Sequence, residues 1–282
     1  MSKVTADMVK ELRERTGVGM GKCKEALDSC AGDMEKAIDH LRKTGMASAV
    51  KKEGREVNEG LIGFAESDKA FALLEVNSET DFVAQNDRFK QFIKDVAQDV
   101  ANTLPASLDD LLNQKFSKDT SVTVDQFRAL TVQSLGENIR IKRMMILPKS
   151  NDVSVGIYSH MGGKIVTAVI LAGGQGNELL ARELAMHVAA ESPDFLRPED
   201  VPADIKAREE EIARSQVVGK PANIVDKIVE GKIKAYYDQA CFICQKYIKD
   251  NALSVAEVVA AEAKKQGKNI TVQGFQRWKV GG

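Results

Sequence analysis

At 282 residues the chain is long enough for two or three domains, each with a core of its own. Its 40 Lys plus Arg nearly cancel 41 Asp plus Glu, so no global field holds a polyanion, which speaks against nucleic acid as the main ligand. Aromatics are only 5%, leaving the cores to Ala, Val, Leu and Ile. No apolar run approaches the ~18 residues of a membrane span, and Met1-Ser2-Lys3-Val4-Thr5 lacks a signal-peptide core, so a soluble, cytoplasmic protein with no membrane partner is expected.

Residues 1–46 predict three short helices. Thr5 can cap the first, with Val4, Met8 and Leu12 on one side and Gly17 ending it. The second carries Cys23, Ala26, Leu27 and Cys30 and stops at Gly32. Asp33 caps the third, which presents Met34, Ala37, Ile38 and Leu41 before Gly45. Residues 47–58 are basic around Lys51, Lys52 and Arg55 and weakly periodic, which reads as a linker with room for a helical turn.

Residues 59–148 change pattern. Stretches 61–64 and 70–76 form a predicted hairpin, covered by a helix from Asp87 with the stripe Phe89, Phe92, Ile93, Val96 and Val100. Residues 108–112 and 124–135 are helical candidates, and 138–147 alternate as a strand. Residues 149–282 repeat the plan: a hairpin (154–159 and 165–171), a helix at 178–190, a capping box Ser254-x-x-Glu257 and a last strand at 270–280. Between them, at about 203–238, two charged helices joined by Gly219-Lys220-Pro221 read as a protruding helical hairpin, with seams of Ile205 and Ile212 against Val225, Ile228 and Val229. The segment Pro193–Asp200 echoes Thr80–Asp87, an echo of eight positions that duplication and chance explain equally. The fold class is α+β: a helical bundle followed by two α+β subdomains with antiparallel sheets.

Templates for chemistry fail one by one. The Gly-Lys pairs at Gly21, Gly163, Gly219, Gly231 and Gly267 lack the rest of a phosphate-cradling loop. Gly173-Gly174-Gln175-Gly176 follows a strand and opens a helix, but the third glycine of a dinucleotide fingerprint falls at Leu179. Cys241-x-x-Cys244 has redox or zinc spacing, yet His40, His160 and His187 are scattered singly. All four cysteines read as small core residues in a reducing compartment. His187, between Met186 and Val188, reads as a packed helix residue. His160 at a turn is either solvated or a contact residue. No cofactor, metal, bound nucleotide or catalytic constellation is expected, and the chain is read as no enzyme.

What remains is Thr80-Asp81-Phe82-Val83, at the end of an apolar run. Thr80 can cap a turn, Asp81 can favour its positive end, and Phe82 can plug the local core. Equally, an acid and an aromatic on a capped turn can be offered to another protein. Met20 divides the same way, between folding back on its bundle and facing a partner.

Several motifs, in order, carry a resemblance to the elongation factor Ts family: Leu12-Arg13-Glu14-Arg15-Thr16-Gly17-Val18-Gly19-Met20, Glu75-Val76-Asn77 with Thr80-Asp81-Phe82-Val83, and Leu135-Gly136-Glu137-Asn138-Ile139. Ala185-Met186-His187-Val188-Ala189-Ala190, Lys220-Pro221 and Val229-Glu230-Gly231-Lys232 extend it nearly end to end. The resemblance implies a ubiquitin-associated-type (UBA-like) N-terminal bundle and the role of guanine-nucleotide exchange factor for the GTPase elongation factor Tu in translation. It implies that Thr80, Asp81, Phe82 and Val83 enter beside that GTPase's Mg²⁺ site, that Arg13, Met20 and Lys24 contact it through the bundle, and that His160 grips a distant domain. The family often has Met-Met where this chain has Met20-Gly21, and some members add a helix beyond the point matching Trp278–Gly282. Heavier reliance on the core than in those relatives is therefore expected. Thin small-residue cores are compatible with a homodimer or a 2:2 complex with the GTPase. The rival readings are a non-catalytic UBA-type binding adaptor, and an enzyme acting at His160 and Asp81.

Overall fold

The computed structural model describes residues 4–217 and 222–282. The expected arm connection at Gly219-Lys220-Pro221 lies outside the described residues. Thr5 accepts the Met8 N–H (3.3 Å) and Gly17 closes the last turn at φ 73°, bounding α1 (Ala6–Thr16). α2 (Met20–Ser29) follows, and Asp33 caps α3 (Met34–Lys52) by accepting the Lys36 N–H. Leu12, Val18, Cys23, Leu27 and Leu41 close the bundle's core.

The first sheet is built from β1 (Glu59–Glu66) and β2 (Ala70–Ser78). Next come α4 (Asp81–Gln85), α5 (Asp87–Thr103), α6 (Leu108–Asn113), the short hairpin β3 (Lys115–Phe116) and β4 (Asp119–Thr123), α7 (Val124–Leu135) and β5 (Ile139–Pro148). Strand order is β1-β2-β5, both pairs antiparallel. Phe89, Phe92, Ile93, Val96 and Val100 of α5 lie buried in the cluster that Leu74, Val76 and Ile141 join. A bulge between Glu75 and Val76 places both Arg143 and Lys142 at Glu75, which is wholly buried. Its carboxylate pairs with Arg143 (2.7 Å) and Lys142 (3.7 Å) and accepts the Gly281 N–H (3.1 Å).

Two expectations need correction here. The third helix does not end at Gly45, and residues 47–52 are helix rather than linker. Gly45 is a point of close approach: a Cβ there would lie 3.3 Å from Gln133 Oε1 and 3.5 Å from the Ala129 carbonyl, both on α7. The missing side chain lets α3 run along α7, where Ala49 is buried and Met46 packs on the sheet's core. Tertiary packing thus overrides the weak helical periodicity of the stretch.

The second series is β6 (Val153–His160), β7 (Ile165–Ala172), α8 (Glu178–Glu191), α9 (Ala203–Ser215), α10 (Ala222–Ala240), the hairpin β8 (Lys246–Tyr247) and β9 (Asp250–Ser254), α11 (Val255–Gln266) and β10 (Thr271–Lys279). Its sheet runs β10-β7-β6. The chain divides into two units, Met1–Lys149 with Met161–Ile165 and Lys279–Gly282, and Ser150–His160 with Val166–Trp278. α9 and α10 meet through Ala213, Val217 and Val229. Ile212 of the expected seam is exposed, because the adjacent Ala213 takes the buried position and lets the helices come together closely.

The two series share one plan, and the sequence echo that marks it is not the one at Asp194-Phe195. Gln114-Lys115-Phe116-Ser117-Lys118-Asp119 and Gln245-Lys246-Tyr247-Ile248-Lys249-Asp250 open equivalent hairpins with the same register shift. Each then enters a capping box, Thr123 with Gln126 and Ser254 with Glu257. Lys118 and Lys249 each reach back to a carboxylate on an earlier helix, Asp95 of α5 and Glu183 of α8, both at 2.7 Å. These two helices, α5 and α8, both end on a non-glycine left-handed cap, Leu104 and Ser192, followed by a proline. Asp194 and Phe195 have a different position in this plan: their N–H groups both donate to the Ala240 carbonyl after α8 has ended.

Candidate partner-binding site

β2 ends at Ser78, and its hydroxyl donates to the Thr80 carbonyl (3.0 Å), turning the chain out of the sheet. Thr80 then caps α4 by accepting the Val83 N–H at 3.3 Å. Its own two donors go to one carboxylate, the N–H to Glu137 Oε2 (3.0 Å) and the hydroxyl to Glu137 Oε1 (2.6 Å). Asn86 closes α4 and caps α5 at once, accepting the Arg88 N–H (2.9 Å). Ala84 is buried and Val83 packs on the first core, so the other face of this turn must point outward. Asp81 is exposed, and Phe82 is 84% exposed. The reading of Phe82 as a plug for the local core is therefore overturned: Val83 and Ala84 supply that plug.

Sequence reasoning missed the residues that hold this turn. Glu79 accepts the Asn138 N–H (2.6 Å), while the Asn138 side chain donates to the Glu53 and Arg55 carbonyls (3.3 and 3.0 Å). Lys52 donates to the Gly136 carbonyl at 2.7 Å. The run Leu135–Ile139 carried a signal as a motif, but nothing in one dimension pairs it with residues 79–80.

Arg13, Met20 and Lys24 are exposed on the bundle. Met20 and Lys24 line a shallow hollow of about 390 Å³ together with Val4, Ala6, Val9 and Gly21. The Thr16–Met20 turn is moored to the core through Ser134, whose hydroxyl donates to the Gly17 carbonyl (2.8 Å) and accepts from Arg88 (2.5 Å). Burial, and then the charge of Arg13, lower the Arg88 pKa. Since Arg88 begins α5 just after α4, Met20's turn and Phe82's turn are fixed to one frame. His160 ends β6 in the other unit, exposed, with the Tyr158 hydroxyl 3.3 Å from its Nδ1.

The remaining candidates are packing residues. His187 is wholly buried in α8. Its Nδ1 accepts the Ile248 N–H (3.3 Å), so Nε2 must carry the proton that it donates to Gln245 Oε1 (2.9 Å). Burial holds its pKa below the ordinary histidine value. All four cysteines are free, Cys23 and Cys241 buried, Cys30 and Cys244 half-buried. Burial foremost pushes the Cys241 thiol up to about 12, leaving it unreactive near neutral pH. Gly173 has φ 113°, and a Cβ there would strike the Asn269 carbonyl, so this glycine serves a close chain approach. No cluster of three or more His, Cys, Asp or Glu side chains suited to a metal occurs among the described residues, nor is any described helix long and apolar enough to cross a membrane.

A family model described as Elongation factor TS matches residues 79–282. Over 281 residues, covering 100% of each chain, the protein is 59% identical to an elongation factor Ts of Protochlamydia amoebophila. It is 45% and 44% identical to those of Chlamydia caviae and Chlamydia felis, again over the full length of each. Together with the α+β fold, these similarities make the chain a translation elongation factor. It belongs to the elongation factor Ts family.

Proposed function

We propose that this protein is the guanine-nucleotide exchange factor of the GTPase elongation factor Tu, and that Asp81 and Phe82 act on that partner's Mg²⁺ site. The observation that carries the reading is Phe82, held in water on a turn capped at both ends. A phenylalanine left exposed forgoes about 2–3 kcal/mol of burial, which a surface turn has no structural need to forgo. Mg²⁺ requires near-octahedral coordination and is bound by few protein ligands beside phosphates. A rigid ring wedged between the elements that support those ligands, with Asp81 offering competing polar contacts, needs only a small displacement to loosen the metal. The diphosphate then loses its main neutralising charge and leaves.

Binding and exchange are linked. A factor that binds the nucleotide-free GTPase best weakens nucleotide binding by the same factor that nucleotide weakens its own. The bundle supplies grip through Arg13, Met20 and Lys24, and His160 supplies a second contact from the other unit. No bond to the substrate is made or broken, so the function asks for no catalytic side chain and no cofactor. The test is release of labelled GDP from elongation factor Tu. Phe82→Ala and Asp81→Ala should each slow release markedly with stability within about 0.5 kcal/mol of the wild type, as for exposed surface positions. Wild-type rates in the double variant would remove this assignment.

A further inference from the structure

We infer that Glu137 is the positioning residue of the Thr80–Val83 prong: its carboxylate, by taking both donors of Thr80, sets the direction in which Phe82 points. This rests on the reading of the prong given above. The N-cap role of a threonine uses its side-chain oxygen as acceptor for one amide of the helix and leaves its own N–H and hydroxyl proton in need of separate partners. Here Glu137 Oε2 takes the N–H at 3.0 Å and Oε1 takes the hydroxyl at 2.6 Å. The first bond fixes the backbone of Thr80. The second fixes its side-chain torsion and turns the oxygen's free lone pair toward Val83 N, which donates to it at 3.3 Å. Both bonds are charge-assisted, the stronger class of hydrogen bond.

A five-residue helix has no stability of its own, so the aim of Phe82 must come from outside it. Glu137 is suited to give it, because Glu137 is itself held. Gly136 ends α7 in the left-handed conformation at φ 83°, and its carbonyl is taken by Lys52. On the other side the Asn138 N–H donates to Glu79, one residue before Thr80. The clasp is therefore reciprocal, each turn giving a carboxylate to the backbone of the other. None of these four side chains, Lys52, Glu79, Glu137 and Asn138, needs to touch a partner to affect what Phe82 does.

The experiment is GDP release from elongation factor Tu with the full-length factor, separating the maximal release rate from the factor concentration that gives half of it. Glu137→Ala should lower the maximal rate about tenfold while moving the half-saturating concentration less than about twofold, because the bundle and His160 contacts are untouched. Glu137→Gln keeps one acceptor oxygen and should fall between. It also carries the test should the alanine variant fold poorly. In an Asp81→Ala/Phe82→Ala background, where the prong has no acting side chain left to aim, Glu137→Ala should add nothing further, the signature of residues acting as one unit. A wild-type rate in Glu137→Ala and Glu137→Gln beside a slow Phe82→Ala would overturn the role of Glu137 and leave the prong standing. A full additional loss on the Asp81→Ala/Phe82→Ala background would overturn it too. If Phe82→Ala itself releases GDP at the wild-type rate, the prong reading fails and this inference with it.

Discussion

Two aromatic side chains with opposite fates show how single residues divide the labour. Phe82 stands in water, while His187 lies between the rings of Phe242 and Tyr247 with both ring nitrogens engaged. Because burial lowers the folded-state pKa of His187 below its ordinary 6.5, the unfolded chain binds the proton more readily. The contribution of His187 is thus complete above about pH 6.5 and is lost as pH falls below it toward the folded-state value. Urea midpoints measured near pH 7.5 and near pH 5 should drop on acidification, and part of that drop should vanish in His187→Phe. His187→Ala should cost about 3 kcal/mol at neutral pH, from the lost packing and from the stranded Ile248 N–H and Gln245 carbonyl.

At the scale of elements, α3 and α7 depend on one missing side chain. Gly45→Leu should destabilise by about 2–3 kcal/mol by forcing α3 off the Ala129 carbonyl, whereas Gly45→Ala should stay near neutral, since the flexible Gln133 amide can give way. Denaturant midpoints of the two variants test this. The same glycine shows where sequence reading fails. In one dimension a glycine after Leu41 signals a helix end. Only the three-dimensional neighbour shows that it marks a helix crossing. α1 was legible because its period agrees with its caps, Thr5 and Gly17, and α5 from its stripe of Phe89, Phe92 and Val96 alone. The small hairpins β3–β4 and β8–β9 were not. A two-residue strand carries no periodicity, and their kinship emerges only from the matched turn lysines and capping boxes. At the site, Thr80–Val83 was legible as a capped turn. The exposure of Phe82 was decided by Val83 and Ala84 filling the core beneath it, and the clasp by Glu137 spans 57 residues of chain.

Across the whole molecule, the exposed Phe82 is the feature on which the proposed action on a partner rests. The first unit is closed by the far end of the chain. Lys279–Gly282 belong to it, and Glu75 ties them in through the Gly281 N–H, while Lys142 donates to the Gly282 carbonyl. Glu75→Ala should remove the acceptor shared by Arg143, Lys142 and the Gly281 N–H and cost about 1–3 kcal/mol, read by urea unfolding. The central claim, that Phe82 acts by disturbing the partner's Mg²⁺, is tested most directly by measuring GDP release from elongation factor Tu twice, in millimolar Mg²⁺ and in excess chelator, with wild-type factor and with Phe82→Ala. The account predicts a large deficit of Phe82→Ala in Mg²⁺ that disappears once the metal is removed, because the step Phe82 assists has then already occurred. An equal deficit under both conditions would contradict it.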